Sequence, residues 1–300
     1  MARILVFGEA LVDLVGEPGG RRYRADPGGS PANVAVGLGR LGKAVTLVTG
    51  LGDDAFGRLV TAHLAASGVT PDVRRAPFTS LAVVSVDGAG VPSYDFALSW
   101  TPGTPEIPPD AAVLCTGSLA AALAEGPVEA AMAGAPAVCY DPNIRPALLG
   151  DPASERRRVE RQVALSDVVK ASDEDLGWLY PGADPVEVAH RWRALGPALV
   201  VVTRGPRGCV AVTASGRVER PAPPVEVVDT VGAGDAFMSG LVSALLDGGL
   251  LDPARRADLD NGGESPLSGP LAAALASAAI TCARPGADPP TEEELRAALR

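Results

Sequence analysis

Histidine, lysine and cysteine are all scarce in this 300-residue chain, and each scarcity removes a class of chemistry. The two histidines are His63 and His190. The four cysteines, Cys115, Cys139, Cys209 and Cys282, stand far apart in sequence, so a zinc centre is not expected. Each cysteine lies in an apolar stretch and reads as a small core residue of a protein in the reducing cytoplasm. No apolar run approaches the roughly 20 residues that span a bilayer, so no membrane partner is expected. The Arg3–Gly8 run is followed at once by Glu9 and Asp13, unlike a cleaved leader, and reads as a first buried strand. A net charge of −10 argues against nucleic acid as a partner. Lys43 and Lys170 are the only lysines among the cations. An anionic substrate must therefore be held locally, by backbone N–H groups, a helix N-terminus, a metal ion or a few arginines.

Apolar residues, by contrast, make up 47% of the chain, enough for a large core and against disorder over most of its length. Glycine (35) and proline (28) follow no repeat and mark tight loops. Short apolar runs predict strands at Arg3–Gly8, Ala44–Thr49, Leu81–Val86, Ala111–Cys115, Ala137–Tyr140, Val168–Lys170, Ala198–Thr203 and Cys209–Thr213. Helical patterns cover Pro31–Leu41, Asp54–Ser67, Pro127–Met132, Ser154–Leu165, Pro185–Leu195, Gly232–Leu246, Pro270–Cys282 and Thr291–Leu299. This alternation predicts an α/β fold, a mostly parallel sheet with helices on both faces and ligands at the carboxyl ends of its strands. Val12–Asp26 and Thr79–Leu98 break the alternation and are expected to form a small separate sheet. Asp258–Pro270 is polar and rich in turn residues, and is expected to be a mobile loop between two helices.

The strongest chemical signal is Asp229-Thr230-Val231-Gly232-Ala233-Gly234-Asp235, which follows an apolar run and opens a long helix. Small residues at Gly232, Ala233 and Gly234 leave backbone N–H groups unhindered, and with the helix dipole these form an anion site. Asp235 then sits in the first turn, where a carboxylate can take the proton of an attacking hydroxyl while the N–H groups hold charge on a transferred phosphoryl group. A plain helix-capping turn is the competing explanation of the same residues. A second signal is Gly28-Gly29-Ser30-Pro31-Ala32-Asn33: glycines permit close approach to a ligand, and Asn33 in a first helical turn can donate to and accept from hydroxyls. Asp13, just beyond the first strand, can accept from a vicinal diol. Gly37–Gly42 matches a dinucleotide pattern but has no strand before it. Gly50–Ala55 does follow a strand, which leaves a nicotinamide-dependent oxidoreductase as a rival class. No acidic residue suits the ribose except Asp72, and Asp53 and Asp54 would face the pyrophosphate.

Taken in order along nearly the whole chain, these blocks resemble the ribokinase-like (PfkB) family of carbohydrate kinases. Gly28–Gly42 is similar to its N-terminal signature and Asp229–Val242 to its C-terminal one. Gly52–Gly57 resembles its G-x-D-x-x-G turn, and Asp141–Arg145, Lys170–Asp175, Thr203–Gly208 and Ala283–Ala287 match further blocks, in wording closest to the fructokinase branch. The resemblance implies one kinase domain over residues 1–300, with a central sheet and a small β lid formed from about 12–27 and 79–100. It implies Asp235 as base, with Gly232, Ala233 and Gly234 as the anion hole. Asp13, Gly28, Gly29 and Asn33 would hold the sugar, and Arg145 would face the phosphates. Thr203, Gly205 and Gly208 would line the nucleotide site. ATP and Mg²⁺ are the implied cofactors, with K⁺ at Asp229 and the Val231 carbonyl, and a homodimer through the lid is an expected assembly.

Two departures from the family pattern stand out. Ser172-Asp173-Glu174-Asp175 replaces the usual N-x-x-E, so Ser172 and Asp175 would hold Mg²⁺ through water with a carboxylate one methylene shorter. The lid turn is cut to Ala97-Leu98-Ser99-Trp100, where Leu98 and Trp100 are expected to bring apolar surface near the pocket. The implied reaction is transfer of the ATP γ-phosphoryl to a small sugar, fructose first. Ribose, 2-keto-3-deoxygluconate and a nucleoside are the alternatives within the family. A non-catalytic sugar or nucleotide sensor is the alternative outside enzymes, against which the base and the anion-hole glycines are both present.

Overall fold

In the computed structural model, which describes residues 2–16, 22–86, 92–261 and 263–300, alternate residues of the first strand face opposite cores. Ile4 and Val6 of β1 (Arg3–Phe7) join one apolar cluster, Leu5 and Phe7 the other. This is the period-two geometry of a strand buried on both faces, and it explains why the sequence reads as an unbroken apolar run.

Around β1 the strands are β4 (Ala44–Leu51), β5 (Val69–Arg75), β8 (Ala111–Gly117), β9 (Val138–Asp141), β10 (Val168–Ser172), β11 (Leu199–Thr203), β12 (Cys209–Thr213) and β13 (Gly216–Arg220). They form a nine-stranded sheet in the order β13-β12-β11-β10-β9-β8-β1-β4-β5. The pairs from β11 to β5 are parallel, and β12 and β13 add antiparallel strands at one edge. One face packs on α1 (Ser30–Arg40), α2 (Ala55–Ala66), α8 (Ala233–Asp247) and α10 (Glu264–Cys282), through residues such as Leu38, Leu64, Leu241 and Leu271. The other face packs on α3 (Ser118–Leu123), α4 (Glu125–Gly134), α5 (Pro152–Ala164), α6 (Asp173–Leu179) and α7 (Pro185–Leu195), through Ala120, Met132, Val159, Leu179 and Trp192. Two shorter helices, α9 (Arg256–Asn261) and α11 (Glu292–Ala298), complete the chain. The expected two-sided α/β architecture is therefore present.

The two segments that broke the alternation do form a separate sheet. Its order is β3 (Tyr23–Gly28), β2 (Leu11–Gly16), β6 (Leu81–Val86), β7 (Pro92–Ala97). Asp54 ties this sheet to the central one. As N-cap of α2 it accepts from Gly57 N–H at 2.8 Å, and it accepts from the Thr79 N–H and hydroxyl, each at 2.8 Å, just before β6 begins. The Thr79 hydroxyl in turn accepts from Gly52 N–H at 3.0 Å.

The structure corrects several expectations. Asp258–Pro270 is not a long loop: α9 ends at Asn261 and α10 starts at Glu264. Pro266 sits in the first turn of α10, where a missing N–H costs nothing. Pro270 lies inside the helix, and α8 packs along it. Approach is close because a Cβ on Gly240 would stand 2.6 Å from Ser277 Oγ. Strand β5 escaped notice because it is an edge strand with exposed polar residues and a proline, which edges tolerate. Trp100 is 7% exposed and packs on Phe7 with ring centroids 5.7 Å apart, so it offers little free surface. Leu98 packs with Leu11, Leu119 and Leu148 beneath the small sheet.

Candidate active site

The carboxyl ends of the central strands bring the predicted blocks onto one edge. Phe7 pairs with Thr116, Gly117 with Asp141 and Ser172 with Thr203 across the sheet. Above that edge the first turns of α1 and α8 meet. Gly232, the residue before α8, has φ 73°, the left-handed conformation that favours glycine, and from there the chain enters the helix. The first N–H groups of a helix have no carbonyl one turn back; here Ala233 N–H donates to the Thr230 carbonyl at 3.2 Å, which leaves those of Gly232, Gly234 and Asp235 for an anion. Asp235 lies in this turn, 7% exposed. Its Oδ1 accepts from the Ser30 hydroxyl at 2.7 Å and its Oδ2 from the Asn33 amide at 2.9 Å. Ser30 Oγ accepts in turn from the Asn143 amide at 2.7 Å. The glycine-rich block at the start of α1 thus orients the carboxylate of α8. Asn33, expected to grip sugar, has its amide on Asp235.

Asp13 of β2 faces the same space. A Cβ on Gly28 would stand 2.1 Å from Asp13 Oδ2, so only glycine leaves the carboxylate in place. Gly29, with φ 98°, carries the chain into α1, and a Cβ there would meet the Glu9 carbonyl at 2.7 Å. Burial, with Asp26 opposite on β3, raises the Asp13 pKa to about 6, against the opposing charge of Arg145. Glu9, buried beneath, is raised by burial to about 7, although Ala120 N–H donates to its Oε2 at 2.8 Å and Arg145 also opposes the rise. Arg145 therefore sits electrostatically beside the Asp13 and Glu9 carboxylates. Its guanidinium donates to the Asn143 and Ile144 carbonyls, at 3.2 and 3.1 Å, and to the Asn143 side chain.

Below the α8 turn lies a buried ion pair that inspection of the sequence missed. Lys170 Nζ donates to Asp141 Oδ2 at 2.9 Å, with side chains 5% and 6% exposed. Burial raises the Asp141 pKa to about 6 despite Lys170, and for Lys170 the surrounding carboxylates outweigh burial and raise its own pKa. Glu9, Ser30, Asp141, Asn143 and Lys170 were all overlooked. The available signal was a lysine inside the apolar run Val168-Val169-Lys170-Ala171, in a chain with only one other lysine.

Ser172 and Asp175 form a capping box at the start of α6. Asp175 Oδ2 accepts from the Ser172 N–H and hydroxyl at 2.9 and 2.7 Å, and Oδ1 accepts from Ile144 N–H at 2.8 Å. Among the described residues no three acidic, histidine or cysteine side chains form a metal cage. An Mg²⁺ here fits only the arrangement in which substrate phosphates and water supply most ligands. Thr203 ends β11, and the turn Gly205–Arg207 with Gly208 follows it. Asp229 accepts from Val231 N–H at 3.0 Å and from Gly286 N–H at 2.8 Å, joining the Ala283–Ala287 block to the α8 loop. Burial opposes its ionisation, but these bonds outweigh burial and hold its pKa below the ordinary value.

The rival dinucleotide turn is built into the junction of the two sheets. A Cβ on Gly52 would meet Phe78 Cα and Thr79 N at 2.7 Å, and one on Gly57 would meet the Gly52 carbonyl at 2.2 Å. These glycines let Gly52, Asp54, Gly57 and Thr79 close their hydrogen bonds.

Comparison with known proteins agrees with this geometry. The model of the pfkB family carbohydrate kinases matches residues 1–294. The chain is 37% identical over 266 residues to a fructokinase of Klebsiella pneumoniae, covering 83% of this chain and 86% of that protein. A solved fructokinase of Xylella fastidiosa with bound ATP superposes with TM-score 0.85 at 31% identity, over 99% of this chain and 98% of the other. A double mutant of Vibrio cholerae fructokinase, in a form with fructose, ADP and potassium ion bound, gives TM-score 0.84 at 28% identity, over 100% and 99%. A family model that spans nearly the whole chain, and relatives alike over most of its length, leave one assignment: the chain belongs to the pfkB family of carbohydrate kinases and is a sugar phosphotransferase.

Proposed function

We propose that this protein transfers the γ-phosphoryl group of ATP to the terminal hydroxyl of fructose. The observation that carries the reading is Asp235, fixed by Ser30 and Asn33 in the first turn of a glycine-opened helix. The sugar hydroxyl attacks phosphorus in line, the bond from phosphorus to the ADP oxygen breaks, and Asp235 receives the hydroxyl proton. The N–H groups of Gly232, Gly234 and Asp235 hold the charge of the transferring group. Asp13 grips the sugar hydroxyls, and Gly28 and Gly29 keep the backbone close to it. Arg145 closes the sugar end. Thr203, Gly205 and Gly208 line the nucleotide side. Mg²⁺ would neutralise phosphate charge in a strongly acidic protein, with Ser172 and Asp175 at the place for its water shell. Asp229 and the Val231 carbonyl would take K⁺.

The small sheet of β2, β3, β6 and β7 acts as the lid that excludes water. Its edge strands, β3 and β7, support a homodimer through the lid, which sedimentation of the purified chain tests. Four unpaired thiols, three of them buried, support a cytoplasmic location.

The test is ADP release by the unaltered protein with fructose, ribose, 2-keto-3-deoxygluconate and adenosine under one set of conditions. Sites built on hydrogen bonds to hydroxyls discriminate by up to about 10⁴–10⁵-fold, so the true substrate should stand clear. A nucleoside exceeding fructose tenfold in kcat/KM would overturn the sugar assignment. NADH binding without any effect of ATP would overturn the reaction class.

A further inference from the structure

Of the two lysines in the chain, Lys43 pairs with Asp247, whose side chain is largely exposed, while Lys170 is buried in the middle of the sheet edge. A Cβ placed on Gly234 would stand 2.9 Å from Lys170 Nζ. Only the hydrogens of a glycine therefore separate this ammonium from the helix turn that carries Asp235. Among the described residues Asp141 is its one hydrogen-bond partner, so two of its three donors are uncommitted in a buried place. An ion pair kept only for stability has little to recommend it, because apolar residues of similar volume often serve as well. The surroundings add a second reason. Asp141, Asp175 and Asp235 all act on Lys170, and Asp13 acts on the same space through Asp235. A phosphoryl group entering among four carboxylates meets a repulsive field. Among the described residues the one fixed cation buried beneath the turn is Lys170, since Arg145 is exposed and engaged with Asn143 and Ile144.

We propose that Lys170 is the cationic member of the anion hole: its ammonium, positioned by Asp141, donates to an oxygen of the phosphoryl group as that group passes from nucleotide to sugar. This rests on the sugar-kinase reading above. Asp141 is then a positioning residue, and Gly234 is glycine so that the ammonium can reach the turn.

The scarcity of lysine supplies a test on the unaltered protein. Labelling lysine side chains with ¹⁵N gives two Nζ environments, assigned with Lys43→Arg. The Lys170 signal should shift when ADP, aluminium fluoride and fructose bind together, and shift less with ADP alone, while the Lys43 signal stays. A Lys170 signal that ignores the fluoride complex overturns the proposal. In parallel, the pair Lys170→Gln with Asp141→Asn removes both charges and leaves no uncompensated ion. It should lower kcat by about 10²–10³-fold, the loss typical of one anion-hole donor, with KM for fructose changed less than about threefold. Lys170→Arg should recover at least a tenth of the lost rate. A neutral pair that keeps the full kcat would show that Lys170 merely neutralises Asp141. ADP release by the unaltered protein is measured first in the same preparation. Its absence with every sugar would count against the kinase reading, whereas its presence with an unmoved Lys170 signal counts against this inference alone.

Discussion

Ser30 donates its hydroxyl to Asp235 Oδ1 at 2.7 Å across 205 residues of sequence, and the same Ser30 oxygen accepts the Asn143 amide. The Asp235 carboxylate is therefore held by two side chains of α1, and one of those is held by Asn143, just after β9. Asp235→Asn should lower kcat by about 10²–10⁴-fold while ATP still raises the melting temperature. Ser30→Ala leaves the base in place but frees its orientation and should lower kcat by about tenfold. Steady-state kinetics beside thermal shift with ATP checks both, and an Asp235→Asn enzyme with most of its turnover would remove the base from the mechanism.

Asp13 shows function opposing stability. Its pKa rises from 3.8 to about 6 on folding, chiefly through burial. The folded protein then binds the proton more tightly than the unfolded chain, so this group's contribution to stability falls as pH rises from 3.8 to about 6, and the penalty is complete above that. Asp13→Asn should stabilise the ligand-free protein at pH 8 by on the order of 1–3 kcal/mol, and by much less at pH 4. The same variant should lose sugar affinity, and in the unaltered enzyme KM for the sugar should rise as pH falls below about 6. Denaturant unfolding at the two pH values, with KM measured across the range, decides it.

Asp54 joins the sheets. Asp54→Ala removes the cap of α2 and both bonds to Thr79, and should cost about 1–2 kcal/mol. If the small sheet is the lid, sugar KM should rise with little change in ATP binding. Chemical denaturation and separate KM values for the two substrates test these effects.

The turn at Asp229 should make turnover respond to monovalent cations. Rates should be higher in K⁺ than in Na⁺ at equal ionic strength, and Asp229→Asn should flatten the difference. Equal rates in K⁺, Na⁺ and a bulky organic cation would remove the cation role.

The sequence revealed elements whose pattern is local. The run from Asp229 to Asp235 states a turn, a helix start and an acid within seven residues, and α8 begins where those residues require. The strands of the parallel sheet are continuous apolar runs because both faces are covered. Elements fixed by distant partners were illegible. Lys170 finds Asp141 across 29 residues, and Asn143 finds Ser30 across 113. The first turns of α10 read as loop because Ser, Gly and Pro crowd its start, while Pro270–Cys282 reads as helix; its small residues on several sides answer to close packing against α8 more than to an amphipathic period. Asp175 matched a metal motif by position, and its carboxylate closes a capping box.

The contact between α1 and α8 fixes more than the base. A Cβ on Gly37 would stand 2.3 Å from Ser239 Oγ, so these helices touch along their length as well as at the Ser30–Asp235 and Asn33–Asp235 bonds. If Asp235 is the base, its alignment with the glycine-opened turn is set by the packing of α1 on α8 and does not wait on the small sheet. Movement of that sheet would govern the timing of turnover, how often water is shut out and product let go, while leaving the reacting geometry as it was built.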